Sequence, residues 1–128
     1  MMFLPEKFFI DEKIQLTNKI STSMLKLVKE LQHENYFSVM TLSDLEQFLD
    51  LSTRNLQLFF KKNFNITPTQ FLREQKLKHA KNLIIESNGN LTISQIALEI
   101  GFFNFSQFTK YYKEYHGVLP SETKKLAK

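Results

Sequence analysis

The chain has 128 residues, enough for one ordinary domain with its own core or for two very small ones sharing a boundary. It holds no cysteine, which excludes a disulfide framework, a cysteine-type zinc site and a thiol nucleophile, and fits a reducing compartment such as the cytoplasm. Seventeen Lys and Arg against thirteen Asp and Glu give a formal charge of +4, a balance that favours a polyanionic partner.

Three glycines and three prolines, set among many Leu, Ile, Phe, Lys, Glu and Gln residues, point to an all-α fold of helices joined by short turns. No uncharged apolar run approaches the roughly 20 residues of a membrane span. The opening "MMFLPEKFF" lacks the basic start and the apolar length of a signal peptide, so no membrane partner is expected.

In chain order, residues 1–17 form an extension in which Phe3, Phe8, Phe9 and Ile10 are unusually apolar for free chain. It reads as a linker remnant, a dimerisation arm or a cover for the first helix. That helix is predicted over about 17–33. Its "MLKLVKELQ" segment sets Leu25, Val28 and either Leu31 or Leu27 on one side.

From there the starts announce themselves. A Ser, Thr or Asn cap with an acid or amide three residues on, flanked by apolar residues as a staple, occurs at Thr41/Asp44, Ser52/Asn55, Thr67/Gln70, Thr92/Gln95 and Asn104/Gln107. Pro68 adds a proline at a first helical position, where its missing N–H costs nothing. The predicted helices are 42–50, 53–63, 68–87, 93–100, 105–116 and 120–126, with the glycines of "SNGN" and "HGVLP" marking two stops.

The chain also repeats itself. Thr41, Leu45 and Asp50 fall opposite Thr92, Ile96 and Gly101, while Ser52, Leu56, Phe60, Lys61, Asn65 and Pro68 fall opposite Asn104, Phe108, Tyr112, Lys113, Gly117 and Pro120. Each unit is a short helix, a tight turn and a second helix, the pattern of a helix-turn-helix. The helix between them has about 20 residues. At about 1.5 Å per residue it spans roughly 30 Å, close to the approximately 34 Å of one duplex DNA turn.

Two stretches, "KLKHAKNLI" at 76–84 and "ISQIALEIGFFNFSQFTKYYKEYHGVLPSE" at 93–122, carry a more specific pattern. Through them the chain from about 24 to 124 resembles the DNA-binding domain of the AraC/XylS family of bacterial transcription regulators. There Ile96, Ala97, Gly101, Phe102, Ser106, Phe108, Tyr112, Lys113, Gly117, Pro120 and Ser121 match the family pattern. The first half departs from it: Glu46 stands where a small residue is usual because the two helices nearly touch, and Asp50 where glycine is frequent in a left-handed turn. Asn65 in the place equivalent to Gly117 is a milder change.

The resemblance implies a homeodomain-like helix-turn-helix pair of about seven helices: a first motif over 18–67, a connecting helix over 68–87 and a second motif over 88–128. It implies double-stranded DNA as partner, with recognition helices 53–63 and 105–116 in adjacent major grooves, and contact with RNA polymerase. Family members often carry an effector-binding or dimerisation domain in front. A homodimer and a missing N-terminal effector domain are therefore both compatible with the chain, as a short regulator or as a piece of a longer one, at the bacterial nucleoid.

On the first recognition helix Leu56, Phe59 or Phe60, and Phe64 are expected to be buried. Arg54 is the candidate for bidentate guanine reading, Gln57 for an adenine edge, and Asn55 and Leu58 share that face. On the second, Phe108, Tyr111, Tyr112 and Tyr115 are the expected buried stripe, leaving Phe105, Ser106, Thr109, Lys110 and Lys113 outward. Phe102 is expected between the two helices of the motif and Phe103 as the staple.

Phe105 either meets a thymine methyl or covers a neighbouring loop, Lys110 reaches a guanine edge or a phosphate, and Gln107 either closes the cap or touches a base. Phosphate candidates are Thr41, Ser52, Thr53, Lys61, Lys62, Thr92, Asn104, Thr109 and Lys113, the lysines being equally readable as solvated charge.

Other classes find little support. His33, His79 and His116 are widely spaced and read as structural or surface residues, so no metal is expected. Without a glycine-rich loop or a nucleophile paired with a base, neither a cofactor nor an enzyme is expected. The rival reading is a helical protein-interaction module that uses residues 1–40 and shows no salt-dependent DNA affinity.

Overall fold

Every capping residue named from the sequence takes extended backbone and receives the expected amide. Thr41, Thr67 and Thr92 accept through their hydroxyls from the N–H of Asp44, Gln70 and Gln95, each at 3.1 Å, Ser52 from Asn55 at 3.2 Å, and Asn104 through Oδ1 from Gln107 at 2.9 Å. Two boxes are reciprocal: the Thr41 N–H donates to Asp44 Oδ2 at 3.0 Å and the Thr92 N–H to Gln95 Oε1 at 2.8 Å. Each cap satisfies an amide that the helix itself cannot.

The computed structural model describes residues 22–127, so the extension 1–17 lies outside the described residues. Helix α1 covers 22–31 of them. There follow α2 (Leu42–Leu49), α3 (Thr53–Phe64), α4 (Pro68–Glu86), α5 (Ile93–Ile100), α6 (Phe105–His116) and α7 (Pro120–Leu126). All regular structure among the described residues is helical.

The prediction of a first helix reaching 33 needs correction. The α-helix gives way to two 3-10 turns, Gln32–Glu34 and Tyr36–Val39, hinged at Asn35 in the left-handed region (φ 57°). Tertiary contacts hold the second turn. Phe37 is buried with its ring edge-on to Phe71 at 5.4 Å, and the buried Ser38 hydroxyl donates to the Asn35 carbonyl at 2.8 Å. With the Ser38 hydrogen so committed, the His79 Nδ1–H of α4 donates to Ser38 Oγ at 2.9 Å. On α1 itself Val28 is fully buried, and Leu31 rather than Leu27 packs beside it.

Helix α4 belongs to both halves. Phe71 and Leu72 near its start close a first core with Val28, Phe37, Leu45, Leu49, Leu56, Phe59 and Phe60. Leu77, Ala80 and Ile84 near its end close a second with Ile96, Ala97, Ile100, Phe108 and Tyr112. At about 100° per residue these two sets lie on roughly opposite faces of the rod. The 19 residues of α4 span about 28 Å. Both motifs are thereby bolted to one rigid element.

Polar and aromatic contacts fix the second motif further. The Arg73 guanidinium lies 4.1 Å from the centre of the Tyr111 ring, tying the first half of α4 to α6. The Tyr112 hydroxyl bonds Thr123 Oγ1 at 2.7 Å in a buried contact that fastens α7. Burial raises the Tyr112 phenol above its ordinary value, partly offset by this bond, so it stays protonated through neutral pH.

Candidate nucleic-acid interface

The turn inside each motif is built the same way. Asp50 (φ 52°) and Gly101 (φ 106°) take positive φ at equivalent places. In the first motif Leu51 N–H reaches the Glu46 carbonyl at 3.1 Å, and in the second Phe102 N–H reaches the Ala97 carbonyl at 2.9 Å. These are the same helix-ending bonds, and they aim α3 and α6 away from their preceding helices alike. The ends of the second helices match too, Asn65 at φ 57° and Gly117 at φ 81°.

On α3 the buried side chains are Leu56 and both Phe59 and Phe60, with Phe64 half-buried. The choice between Phe59 and Phe60 is thus resolved as both, their rings edge-to-face at 5.2 Å. Arg54, Asn55, Gln57, Leu58, Lys61 and Lys62 are all exposed. Leu58 keeps 56 % of its surface, an apolar spot within a polar face.

On α6 Phe108 and Tyr112 are buried, and Tyr111 and Tyr115 half-buried, as the stripe predicts. Ser106, Gln107, Lys110 and Lys113 are exposed and Thr109 half-exposed. Ser106, Thr109, Lys110 and Lys113, together with Glu114 and Leu119, line one open hollow of about 560 Å³. Gln107 makes no return bond to the Asn104 N–H among the described residues, so its side chain is not spent on a reciprocal box.

The phenylalanines around this motif need a correction. Phe102 does pack inward, its ring 5.1 Å from that of Phe108, and Phe105 is 49 % exposed with its ring 6.4 Å from Phe108. Phe103 is no staple: it is 89 % exposed. The tight turn after Gly101 spends its inward direction on Phe102, which leaves the next residue facing out. Two rings, not one, stand at the edge of the second recognition helix.

Some candidate donors are already engaged. The Thr53 hydroxyl donates to Glu46 Oε1 at 3.0 Å, and the Thr109 hydroxyl to the Phe105 carbonyl at 3.0 Å. Either must exchange that bond to reach a phosphate. Ser52, Thr41 and Thr92 accept through their oxygens and keep their hydroxyl hydrogens, while Asn104 keeps its amide hydrogens.

The two motif entrances differ in charge. Bonds from the Thr41 backbone and side chain hold the Asp44 carboxyl below its usual range, so a carboxylate guards the start of α2. The neutral Gln95 does the same work at α5. Electrostatics thus favour a phosphate at Thr92 over one at Thr41.

A family profile described as a helix-turn-helix domain matches residues 45–126, from within α2 to the end of α7. The chain belongs to the AraC family of helix-turn-helix domains. Over 105 residues it is 32 % identical to the raffinose operon transcriptional regulatory protein RafR of Pediococcus pentosaceus, covering 82 % of this chain and 37 % of that one. It is 29 % identical over 113 residues to the HTH-type transcriptional regulator ArgR of Pseudomonas aeruginosa, covering 87 % and 34 %. The chain spans little more than a third of the length of these curated relatives.

Among solved structures, the C-terminal domain of the two-component response regulator yesN from Fusobacterium nucleatum is similar. The TM-score is 0.59 at 32 % identity, over 77 % of this chain and 95 % of that one. Within the AraC-type frame, Glu46 is the departure with a visible consequence: where a small residue would let the helices touch, its half-buried side chain bridges to Thr53 instead. Sequence reasoning missed that partnership and the exposure of Phe103. For the first, an acid seven positions before a hydroxyl at a helix start was the available signal.

Proposed function

We propose that this AraC-type domain binds double-stranded DNA sequence-specifically, with α3 and α6 in adjacent major grooves, and regulates transcription in the bacterial cytoplasm through contact with RNA polymerase. The observation that carries the reading is the pairing of two exposed, cation-bearing helix faces on one shared rod about 28 Å long.

In this reading Arg54 reads guanine through its two-pronged guanidinium, Gln57 an adenine edge, and Leu58 a thymine methyl, with Asn55 at their side. Lys110, Ser106, Gln107 and Phe105 perform the same task for α6, Phe105 by apolar contact. Lys61, Lys62 and Lys113 hold phosphates, joined by the helix-start groups of Ser52, Thr92 and Asn104 and by Thr41, Thr53 and Thr109. A homodimer or an N-terminal effector domain completes the regulator.

The test is selection of bound duplexes from a random pool at two salt concentrations, followed by sequencing. Two short elements about one helical turn apart support reading by both motifs. A single element assigns reading to one motif and anchoring to the other. Binding without salt dependence, or no binding, overturns the proposal and favours a protein partner of residues 1–40.

A further inference from the structure

A second feature lies away from the start of α6. Between the first 3-10 turn, the later half of α4 and the last turn of α6 is a cleft of about 670 Å³, lined among others by His33, Lys78, Lys81, Asn82, Tyr115 and His116. It is open to solvent on one side and its lining is mostly polar, which suits a hydrated, charged ligand better than an apolar one. His116 stands ten residues beyond Ser106, so about 15 Å along the helix axis from the beginning of the presented face.

The charged side chains among the lining residues are cationic, with Glu74 acting on Tyr115 from beside them. Lys78 and Lys81 bring two exposed ammonium groups, and Asn82 an amide. Burial, then the charge of Glu74, raises the Tyr115 phenol above its ordinary value, so it remains an O–H donor. His116 Nε2 lies 2.8 Å from the Leu77 carbonyl, which only accepts, so Nε2 carries a proton and Nδ1 keeps its lone pair. Burial lowers its basicity, the Leu77 bond opposes that, and the fields of Lys81 and Lys78 lower it further. Both lysines thus project positive potential onto the cleft wall. No described lining residue is acidic.

We infer that this cleft is a binding site for a small multivalent anion, one carrying carboxylate or phosphate groups. The ammonium groups of Lys78 and Lys81 supply charge, and the amide of Asn82 and the hydroxyl of Tyr115 supply directed donors. Its walls come from the first motif, the shared rod and the second recognition helix. An anion seated there clamps the two motifs together and stabilises the fold by mass action.

The experiment follows the imidazole resonances of the full 128-residue chain, without DNA, as citrate or inorganic phosphate replaces chloride at constant ionic strength. The expected result is a saturable shift of His116 and His33 and an upward move of the His116 titration midpoint. Saturation by citrate and not phosphate identifies a polycarboxylate; saturation by both identifies the shared anion chemistry. K78Q/K81Q and, separately, N82D should weaken citrate binding about tenfold or more, while K110Q should leave it unchanged. Shifts that rise linearly without saturation, or that persist equally in K78Q/K81Q, overturn the inference. So does duplex DNA that displaces citrate and moves His116 as citrate does, because the cleft then holds backbone phosphate. Because these readouts need no DNA, their failure is separable from failure of the DNA-binding proposal.

Discussion

The Thr53 hydroxyl at the first turn of α3 donates to Glu46 of α2 across 3.0 Å, so an acid occupies the seam between the two helices of the first motif, beside the groups proposed to hold phosphates. Replacing Glu46 by Gln keeps the bridge and removes the charge, whereas Ala removes both. Each variant should bind DNA more tightly, by about 0.5 kcal/mol or roughly twofold for the charge alone. Titration at two salt concentrations checks this. Weaker binding by E46A with unchanged binding by E46Q would show that the bridge itself positions α3.

Reading and anchoring separate by mutation. Arg54→Ala or Lys110→Ala should change the preference among duplex sequences by about 1–3 kcal/mol at one position. Lys62→Ala should weaken all sequences nearly alike and flatten the salt dependence by about one counterion. Selection profiles of the three variants decide, and uniform losses for all three would end the base-reading assignments.

Phe103 and Phe108 share a motif and differ in fate. Phe103→Ser removes a ring already in water and should change stability by less than about 0.5 kcal/mol. Phe108→Ala empties a fully buried site and should cost about 3–5 kcal/mol. Thermal melts compare them. A DNA affinity lowered by F103S without a stability loss would place that ring at the interface.

The sheltered His116 gives stability a pH slope. Its ordinary value is near 6.5, and burial holds it lower in the fold. The unfolded chain therefore takes the proton first as pH falls through about 6.5, and stability, complete above that point, declines until the folded imidazole also protonates. Melting temperatures between about pH 7.5 and 5 should fall with acidity, and less steeply in His116→Gln. An unchanged slope in that variant would move the effect to another group.

Asp50 holds a left-handed turn that its counterpart fills with Gly101. Asp50→Gly should be neutral to stabilising, by up to about 1 kcal/mol, while Gly101→Ala should cost about 1–2 kcal/mol. Denaturant titration of both variants tests whether the two turns are equally strained.

The sequence made α2 to α6 legible because their starts are written locally, cap and partner lying three residues apart, and α7 legible from Pro120 at its first position. The boundaries agree with the structure to within a residue, as with 53–63 against Thr53–Phe64. What escaped was decided at a distance. The 3-10 turns at 32–39 exist because Phe37 and Ser38 meet Phe71 and His79 of α4, contacts across more than thirty residues that no local pattern encodes. Phe103 escaped because a staple pattern records the residue type and not the direction in which a tight turn sends it. The lateral order of each recognition face was readable from 3.6-residue periodicity, whereas the engagement of Thr53 and Thr109 depends on bonds that only coordinates reveal.

Because α4 carries its two apolar patches on roughly opposite faces, its length is a phase as well as a distance. One residue inserted between Leu72 and Leu77 would turn the entire second motif by about 100° around the rod and advance it about 1.5 Å. Four inserted residues nearly restore the angle, leaving about 40°, but carry it about 6 Å, close to two base-pair steps. On the proposed reading, drift in the length of this helix is felt as a change of the register in which two distant stretches of a groove are met at once.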